Sequence, residues 1–458
     1  MTLATARNRT LHCRSPTHDA PLTIGPRDRG PTLARMQADP AVATLGRIDG
    51  LDLARLGAMV GMLIAHYGGQ GPGPNELRWV RHFVDGRAMP LFVLLGGAGI
   101  TLLTDRCAHP DRRLALRALV LLGLGLLLNE HVPFVAVIIH YYAAYFLAGI
   151  ALRRLGDRLL LAVAVLVTLV GAVTYQVIAP TATTFSGWGA GTAVRPWPLV
   201  TELSVAGYYP LLPSLAFVCV GMWLARQRLD QRRCLLSIGL TGVALYVAGY
   251  GLGALADATI DPPRIVVDSA GQATIGPAVV DNLAEHGVAA RGLERAAARN
   301  ARQQDIAQVE ALDDVLDSLP KWTTEPDGFT LSRVLDGSGH SEMPAWVMGA
   351  TGFAVLVVAL ACSLTIALSR HHAAAGVLRW LAGLGRFSLT FYVVHTLLLR
   401  LVADDFYAQP LIGNFLLMGW VFGGFVVAAS LWQLRFRRGP LEAVLRLVDG
   451  PARRGRAL

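Results

Sequence analysis

Three ionisable side chains lie within one apolar stretch near the start of the chain. Arg55 and His66 are eleven residues apart. Eleven residues make about three turns of an α-helix, so both side chains lie on one face, roughly 16 Å apart along the axis. Asp52, three residues before Arg55, falls on the same face. Ionisable groups inside an apolar helix face a cavity or a partner, so all three are functional candidates. The alternative is structural: Asp52 and Arg55 form an interfacial ion pair, and His66 caps the helix end.

Two further histidines lie in apolar segments and are candidates for the same chemistry. His395 follows Ser388 and Tyr392 at helical spacing, so these three side chains form a polar stripe on one helix face. His140 precedes two tyrosines in another apolar segment. A neutral histidine suits the removal of a proton from an attacking group near neutral pH, so we predict His66, His395 and His140 as catalytic residues. For a single buried histidine, the alternative is a hydrogen-bonded packing residue.

Two more arginines add positive charge near Arg55. Arg117 and Arg386 each stand at the same end of their predicted spans, on the membrane side where Arg55 lies. A guanidinium group binds phosphate oxygens in a planar, bidentate geometry. We therefore predict that Asp52, Arg55, Arg386 and Arg117 bind a phosphate-bearing donor. The alternative for the two added arginines is the anchoring of helix ends at a membrane surface.

The elements that position these residues are membrane helices. The chain has 458 residues, of which 53% are hydrophobic and 16% are charged, whereas about 25% of residues are charged in soluble proteins. The apolar residues occur in long runs, and such runs satisfy their backbone groups in hydrocarbon only as helices. The sequence thus predicts an all-α, polytopic integral membrane protein of about ten transmembrane helices. They are expected at residues 51–67, 88–104, 114–128, 133–152, 159–179, 207–225, 235–256, 346–368, 378–400 and 411–432.

Arginine-rich loops alternate with arginine-poor loops, and this alternation gives an orientation. One set of loops carries groups such as Arg112–Arg113, Arg153–Arg154 and Arg232–Arg233, while the other set contains few arginines. By the positive-inside rule, the arginine-rich loops and both termini are cytoplasmic. Orientation signals that face anionic lipid account for the net charge of +9 without a nucleic-acid partner. We expect a multi-pass protein of the cell membrane with cytoplasmic termini.

The apolar segments divide the chain into five regions. Residues 1–46 contain no apolar run and are predicted to be a disordered cytoplasmic segment. A first membrane half of seven spans covers 47–256, and a second half of three spans covers 346–432. Between them, 257–345 is a polar insertion with one or two amphipathic helices, which the orientation places outside the cell as a solvated insertion or a lid. Residues 433–458 form a basic cytoplasmic tail with an interfacial helix.

The five cysteines do not form the pattern of a disulfide framework or a metal site. In the predicted topology none of them lies outside the cell, and no CxxC or Cys/His metal spacing occurs. We expect neither a structural disulfide nor a bound metal.

Several motifs resemble the transmembrane acyltransferase superfamily, which includes the acyltransferase type 3 proteins and the heparan-α-glucosaminide N-acetyltransferases. The type 3 proteins share an Asp-Gly-Leu opening, here Asp49–Leu51, and an Arg followed eleven residues later by a His, as Arg55 and His66 stand here. Gly207–Pro213 is similar to a segment of the N-acetyltransferase branch, and the tail motif Gly439–Glu442 resembles the YeiB-like branch.

The resemblance implies an acyl-CoA donor that enters from the cytoplasm, with acetyl-CoA favoured, and an acceptor outside that is an envelope glycan, a sugar or a lipid-linked molecule. It also implies that a histidine at the outer end acts as general base or transient acyl carrier, and that the arginine contacts the donor. The rival is a transporter or exporter of a cell-envelope precursor, in which the same polar residues line a pathway without acyl transfer. A non-catalytic membrane scaffold, in which His66 is dispensable, is a third alternative.

Overall fold

The computed structural model is predominantly helical, with one short β-hairpin among the residues it describes. The predicted disordered segment 1–46 and the end of the tail, 449–458, lie outside the described residues. The fold confirms the predicted class of an all-α, polytopic membrane protein. The described residues are 47–68, 74–105, 107–132, 135–179, 198–259, 265–267, 273–276, 279–280, 283–284, 289–304, 308–317, 332–406, 410–436 and 438–448.

The helices of the first half run from the first span to the polar insertion. They are α1 (Arg47–Tyr67), α2 (Asn75–Val84), α3 (Ala88–Thr104), α4 (Pro110–His131), α5 (Tyr141–Leu152), α6 (Asp157–Ile178), α7 (Pro198–Thr201), α8 (Leu211–Arg226) and α9 (Arg232–Thr259). Helix α7 continues into a π-helical turn, Glu202–Ala206.

The insertion and the second half follow. Their elements are β1 (Ile265–Val267), β2 (Ala273–Ile275), α10 (Ala290–Gln304), α11 (Gln308–Asp317), a 3-10 turn (Ser332–Leu335), α12 (Pro344–Leu368), α13 (His372–Gly385), α14 (Ser388–Phe406), α15 (Leu411–Gln433) and α16 (Pro440–Val448).

Every predicted span overlaps a helix or a helix pair, but the span predicted at 133–152 is helical only from Tyr141, and the count of ten is not confirmed. Six helices of the described residues are long and apolar enough to cross a membrane, or seven if the bent pair α13 and α14 forms one span. The helices α5 and α8 are apolar but shorter. Helix α1 is long enough, with 21 residues, but it is not one of these six helices. Its polar candidate residues Asp49, Asp52, Arg55 and His66 lower its mean hydropathy.

Glycines allow the membrane helices to pack closely. A Cβ atom added to Gly221 of α8 would overlap the backbone of Leu94 in α3, and one added to Gly97 would overlap Val218 in the opposite direction. Small residues favour such close approach in lipid, where helix association depends on packing contacts rather than on the exclusion of water. Helices α3 and α8 are therefore closely packed against each other, and α3 in turn contacts α1.

The predicted ninth span, 378–400, is broken rather than continuous. Helices α13 and α14 meet at an angle of 62°, and Arg386 and Phe387 form the break between them. Gly385 stands directly against the backbone of Asp52, where a side chain would overlap it. The absence of a Cβ atom there allows the break to contact α1, and this contact positions one end of the candidate site.

The described part of the insertion forms a small module with its own apolar cluster. Strands β1 and β2 pair in an antiparallel hairpin, and the two helices expected in the insertion appear as α10 and α11. Sequence patterns did not predict the hairpin, since its strands have only three residues each. The buried residues of this cluster are Ala273, Ile275, Val279, Leu283, Ala297, Ala301, Ala311, Leu312 and Leu316.

The tail helix α16 is bonded to the start of α14. The carboxylate of Glu442 accepts hydrogen bonds from the backbone N–H groups of Leu389 (2.7 Å) and Thr390 (3.0 Å) and from the Thr390 hydroxyl (2.6 Å). The first N–H groups of a helix have no partner within the helix, and a negative charge also interacts favourably with this end. Glu442 therefore caps α14, which gives the tail motif Gly439–Glu442 a structural role.

Candidate functional site

At one end of α1, two arginines share a buried carboxylate. Asp52 is only 2% exposed; it accepts a hydrogen bond from Arg55 and another from Nε of Arg386 at 3.0 Å. Arg386 also donates from Nη2 to Asp49 at 3.0 Å. A buried carboxylate needs such partners, because an unpaired charge away from water is strongly unfavourable. The side chains of Arg55 and Arg386 remain 26% and 37% exposed, so both guanidinium groups can reach a ligand.

At the other end of α1, His66 contacts His395 of α14. Nδ1 of His66 lies 2.9 Å from Nε2 of His395, and Nδ1 of His395 lies 3.0 Å from the carbonyl oxygen of Phe391. Because a carbonyl only accepts, the proton of neutral His395 is on Nδ1 and its Nε2 accepts from His66. Neutral His66 then carries its own proton on Nδ1, which leaves the lone pair of its Nε2 available as a base.

The histidine pair is held from both helices. The hydroxyl of Tyr67 donates to the backbone carbonyl of His395 at 2.9 Å. The ring of Tyr392 lies edge-on to both imidazoles, with centroid distances of 6.4 Å to His66 and 5.4 Å to His395. His395 is fully buried, whereas His66 is partly exposed. His66 is therefore the member of the pair that a substrate can reach.

Tyr142 of α5 lies against α3, about one helical turn from the position of α3 that faces Arg55. A Cβ atom added to Gly96 of α3 would overlap the Tyr142 ring, and the Tyr142 hydroxyl donates to the carbonyl of Phe92 in α3 at 2.8 Å. A Cβ atom added to Gly99 of α3 would lie 3.8 Å from Nη2 of Arg55. Two glycines of α3 therefore leave room for two side chains of neighbouring helices: Gly99 for Arg55 of α1, and Gly96 for Tyr142 of α5.

His140 belongs to a separate buried cluster with Glu202. Its Nε2 lies 2.7 Å from Oε1 of Glu202, to which the Tyr141 hydroxyl also donates at 3.1 Å. Both His140 and Glu202 are at most 1% exposed. Within the described residues His140 makes no contact with His66, but the backbone N–H of Ile138 donates to the Tyr392 hydroxyl at 3.1 Å. This cluster supports the tyrosine beside the histidine pair.

Sequence reasoning did not select Glu202. The residue lies in a short π-helical turn before α8, where no apolar periodicity marks it. Irregular helical turns of this kind are frequent at functional sites. The sequence signal that could have identified Glu202 is the nearby motif Gly207–Pro213. A Cβ atom on Gly207 would overlap both the Tyr141 hydroxyl and the Glu202 backbone, so this glycine lies directly against the cluster.

A third cluster of polar and aromatic residues surrounds His340, just before α12. Nε2 of His340 lies 3.7 Å from the Asp85 carboxylate, and its ring centroid lies 4.8 Å from that of Tyr208. Both His340 and the buried Glu342 have positive φ angles, 62° and 61°, which are unfavourable for residues other than glycine. Sequence reasoning missed His340 and Glu342, although both are polar residues next to a strongly apolar run.

Arg117 lies on α4, whereas the other residues predicted to bind the donor lie on α1 or at the break before α14. Its role in donor binding stays a prediction.

Beside His395, an apolar groove of about 450 Å³ runs between α14 and α15. Its wall includes Phe387, Thr390, Phe391, His395, Gly424 and Phe425.

Two family models match this chain, one in each membrane half. Residues 47–251 match the model described as heparan-alpha-glucosaminide N-acetyltransferase, catalytic. Residues 334–449 match the model of a protein of unknown function, DUF418. No curated protein and no solved structure matches the chain. These matches confirm the resemblance predicted from the motifs, including the YeiB-like character of the tail.

The class of the chain follows from the fold and the matches together. It is a multi-pass membrane protein whose first half is similar to an N-acetyltransferase catalytic domain, and this match supports an enzyme. The Asp52–Arg386 and His66–His395 contacts each join a residue of the first match to a residue of the second. The two matched regions therefore contribute to the same two clusters.

Proposed function

We propose that this protein transfers an acyl group, with acetyl favoured, from acyl-CoA bound at Arg55 and Arg386 to an acceptor at His66. The observation that supports this best is the placement of the two clusters at opposite ends of α1. Eleven residues separate Arg55 from His66, which corresponds to roughly 16 Å of helix. A phosphate-bearing donor and a polar acceptor can thus bind at opposite ends of the helix, as transfer across a membrane requires.

The arginine end suits the phosphates of a CoA donor. Arg55 and Arg386 each use part of the guanidinium group to bind Asp52, and each retains further N–H groups and exposed surface. Guanidinium groups bind phosphate through paired hydrogen bonds. Asp49 and Asp52 fix the orientation of both groups before a ligand arrives. The thin pantetheine arm would then carry the thioester past Tyr142 toward His66.

The histidine end suits base catalysis. Nε2 of His66 would take the proton of an acceptor hydroxyl or amine as that group attacks the thioester carbonyl. The carbon–sulfur bond then breaks, the acyl group remains on the acceptor, and the CoA thiolate receives the proton from His66. In the second route, Nε2 attacks the thioester first, releases CoA and passes the acyl group to the acceptor. In both routes His395 acts as a positioning residue that fixes the tautomer of His66.

The proposed orientation follows the arginine count of the loops. The donor end is cytoplasmic, both termini are cytoplasmic, and the His66 end faces the outside of the cell membrane. The acceptor is accordingly a glycan, a sugar or a lipid-linked molecule of the cell envelope. Tyr208, His340 and Asp85 offer an aromatic and polar surface that such an acceptor would contact.

The test compares acylated envelope glycans and lipids between a deletion strain and its parent. The strain is complemented with the wild-type gene, with His66→Ala or with His131→Ala. His131 is a control histidine that is exposed and, among the described residues, contacts the carbonyl of Leu127. We expect an acylated species that disappears in the deletion strain and returns with the wild type and the control alone. Identical acylation in all strains would contradict the proposal.

The broken span favours a second candidate, an exporter of an envelope precursor. Discontinuous helices like α13 and α14 form the central binding sites of many transporters. An exporter would show no acyl transfer in detergent solution, where the two membrane sides are not separated. Transfer of a labelled acyl group from acyl-CoA to an acceptor by the purified protein therefore distinguishes the enzyme from the exporter.

A further inference from the structure

The surface of the insertion carries a row of arginines, here called the arginine stripe. It consists of Arg291, Arg295, Arg299 and Arg302 on α10. At about 100° per residue, these positions fall within an arc of about 80° and extend over about 16 Å of helix. All four residues are exposed. One face of α10 therefore presents four guanidinium groups to the surroundings.

The opposite face of α10 is fixed in the module. Ala297 and Ala301 are buried in its apolar cluster, and the carboxylate of Glu294 accepts a hydrogen bond from the backbone N–H of Ile275 at 2.9 Å. Glu294 is the single acidic residue of α10, and this hydrogen bond engages its carboxylate within the module. The orientation of the stripe is thus set by the packing of the module.

The charges of the stripe are not neutralised within the part of the chain that the structure describes. Salt bridges occur at other surface arginines, such as Arg153, Arg154 and Arg226, but none involves an arginine of the stripe. Four like charges on one helix face repel each other, and such an arrangement destabilises an isolated helix by a few tenths of a kcal/mol per pair. An external anion would relieve this repulsion.

We propose that the arginine stripe binds a linear anionic polymer of the cell envelope, one that carries phosphate, sulfate or carboxylate groups along its length. Successive arginines are about 6 Å apart along the helix axis, so one extended polymer can contact all four at once. Each guanidinium group forms paired hydrogen bonds with such an anionic group. Contacts made by one polymer chain reinforce each other, because the later ones form intramolecularly.

A polymer fits the stripe better than a membrane surface does. A helix that lies on a membrane inserts an apolar face beside its basic one. The apolar face of α10 is already buried inside the module, so only the charged face is available. The module also lies outside both matched regions, 47–251 and 334–449. The proposal is therefore independent of the acyl transfer proposed above.

The test measures binding of inorganic polyphosphate to the full-length protein in neutral phosphatidylcholine nanodiscs, which expose both faces of the protein. Replacing the four stripe arginines by Gln should weaken binding at least about 4-fold, because four weak exposed ionic contacts are lost together. It should also reduce the slope of log affinity against log salt by about 3, at about 0.7 per phosphate contact. The matched control replaces four exposed arginines elsewhere by Gln: Arg112, Arg232, Arg233 and Arg370.

Both quadruple variants lose the same net charge. Their comparison therefore separates the effect of the stripe arginines on polyphosphate affinity from the effect of net charge. Polyphosphate affinity that falls equally in both variants, or in neither, overturns the proposal. The measurement is repeated in nanodiscs that contain phosphatidylglycerol. If anionic lipid removes the difference between the two variants, the stripe binds the membrane and the proposal is wrong. Equal melting temperatures and helix content of the variants confirm that the module remains folded.

Discussion

His66 and His395 are 329 residues apart in the chain, and their ring nitrogens are 2.9 Å apart in the structure. One lies in the region that matches an N-acetyltransferase catalytic domain, and the other in the region that matches a family of unknown function. Because His395 accepts from Nδ1 of His66, each region supplies one half of the hydrogen-bonded unit. The proposed reacting histidine and its hydrogen-bond partner thus come from different regions of the chain.

Replacing His66 by Ala should lower acyl transfer by about 100- to 10,000-fold, the usual contribution of a general base. Donor affinity should stay nearly unchanged, since the substitution leaves the arginine end intact. Turnover and donor binding are measured on purified protein, with melting temperatures recorded for each variant. His131→Ala is the control, because this exposed histidine lies at the end of α4. Normal turnover of the His66 variant would assign the base to another residue.

Replacing His395 by Phe should reduce kcat and leave KM for the donor unchanged, because phenylalanine fills similar space but cannot accept a hydrogen bond from His66. Replacing it by Gln should restore part of kcat, since its amide oxygen can accept that bond. A purely structural role for His395 would give the two variants equal activity per folded molecule. Steady-state kinetics on protein quantified by its folded fraction distinguishes these outcomes.

Arg55→Ala should weaken donor binding about 10-fold or more, and Arg55→Lys should restore it only in part, because lysine lacks the planar fork. Arg153 supplies the matched control. Its side chain is 24% exposed, against 26% for Arg55, and it also pairs with an aspartate, Asp111. Donor affinity is measured by titration calorimetry. An equal loss of affinity for Arg153→Ala would show that the effect comes from surface charge rather than from the site.

Glu442→Ala should destabilise the protein by about 1–3 kcal/mol, since two backbone N–H groups and a hydroxyl lose their acceptor. Gly439→Ala should also destabilise it, because the added Cβ atom would overlap the Glu442 carboxylate. Thermal unfolding in detergent measures both effects. The control is Glu76→Ala, at an exposed position of the first turn of α2. A melting temperature of Glu442→Ala equal to that of the control would exclude the capping role.

Reporter fusions test the orientation that the arginine count predicts. A periplasmic or extracellular reporter fused at Gly271 should be active, and a cytoplasmic reporter should be active at Leu458. The reason is the excess of arginine in the loops assigned to the cytoplasm. Activity of a cytoplasm-only reporter at Gly271 would reverse the assignment of the insertion and, with it, the side from which the donor enters.

The sequence was sufficient for the class of the protein and for contacts within one helix. Long apolar runs identified the membrane helices, and the spacing of three residues between Asp52 and Arg55 predicted their contact. The same logic cannot pair His66 with His395, because helical periodicity carries no information about contacts between distant helices. Arg386 lies near Arg55, as expected, because both side chains bond Asp52, whereas the donor-site role of Arg117, selected on the same grounds, stays a prediction.

The break between α13 and α14 shows a second limit of prediction from the sequence. Residues 378–400 read as one apolar span, and Gly385 is the residue whose missing side chain allows the bend to contact Asp52. A glycine inside an apolar run is common in membrane helices, so its presence does not identify a bend. Glu202 shows the same limit for polar residues, since its importance depends on His140, which lies 62 residues earlier.

The cap that Glu442 places on α14 has a consequence for biosynthesis. The ribosome makes α14 before α16, so the N–H groups of Leu389 and Thr390 lack their carboxylate partner until Glu442 has been translated. Arg386 and His395 lie on either side of these residues. A nascent chain that stops before Glu442 contains every predicted site residue and still leaves the start of α14 without its cap. Assembly of the site therefore depends on a residue that is translated after all the predicted site residues.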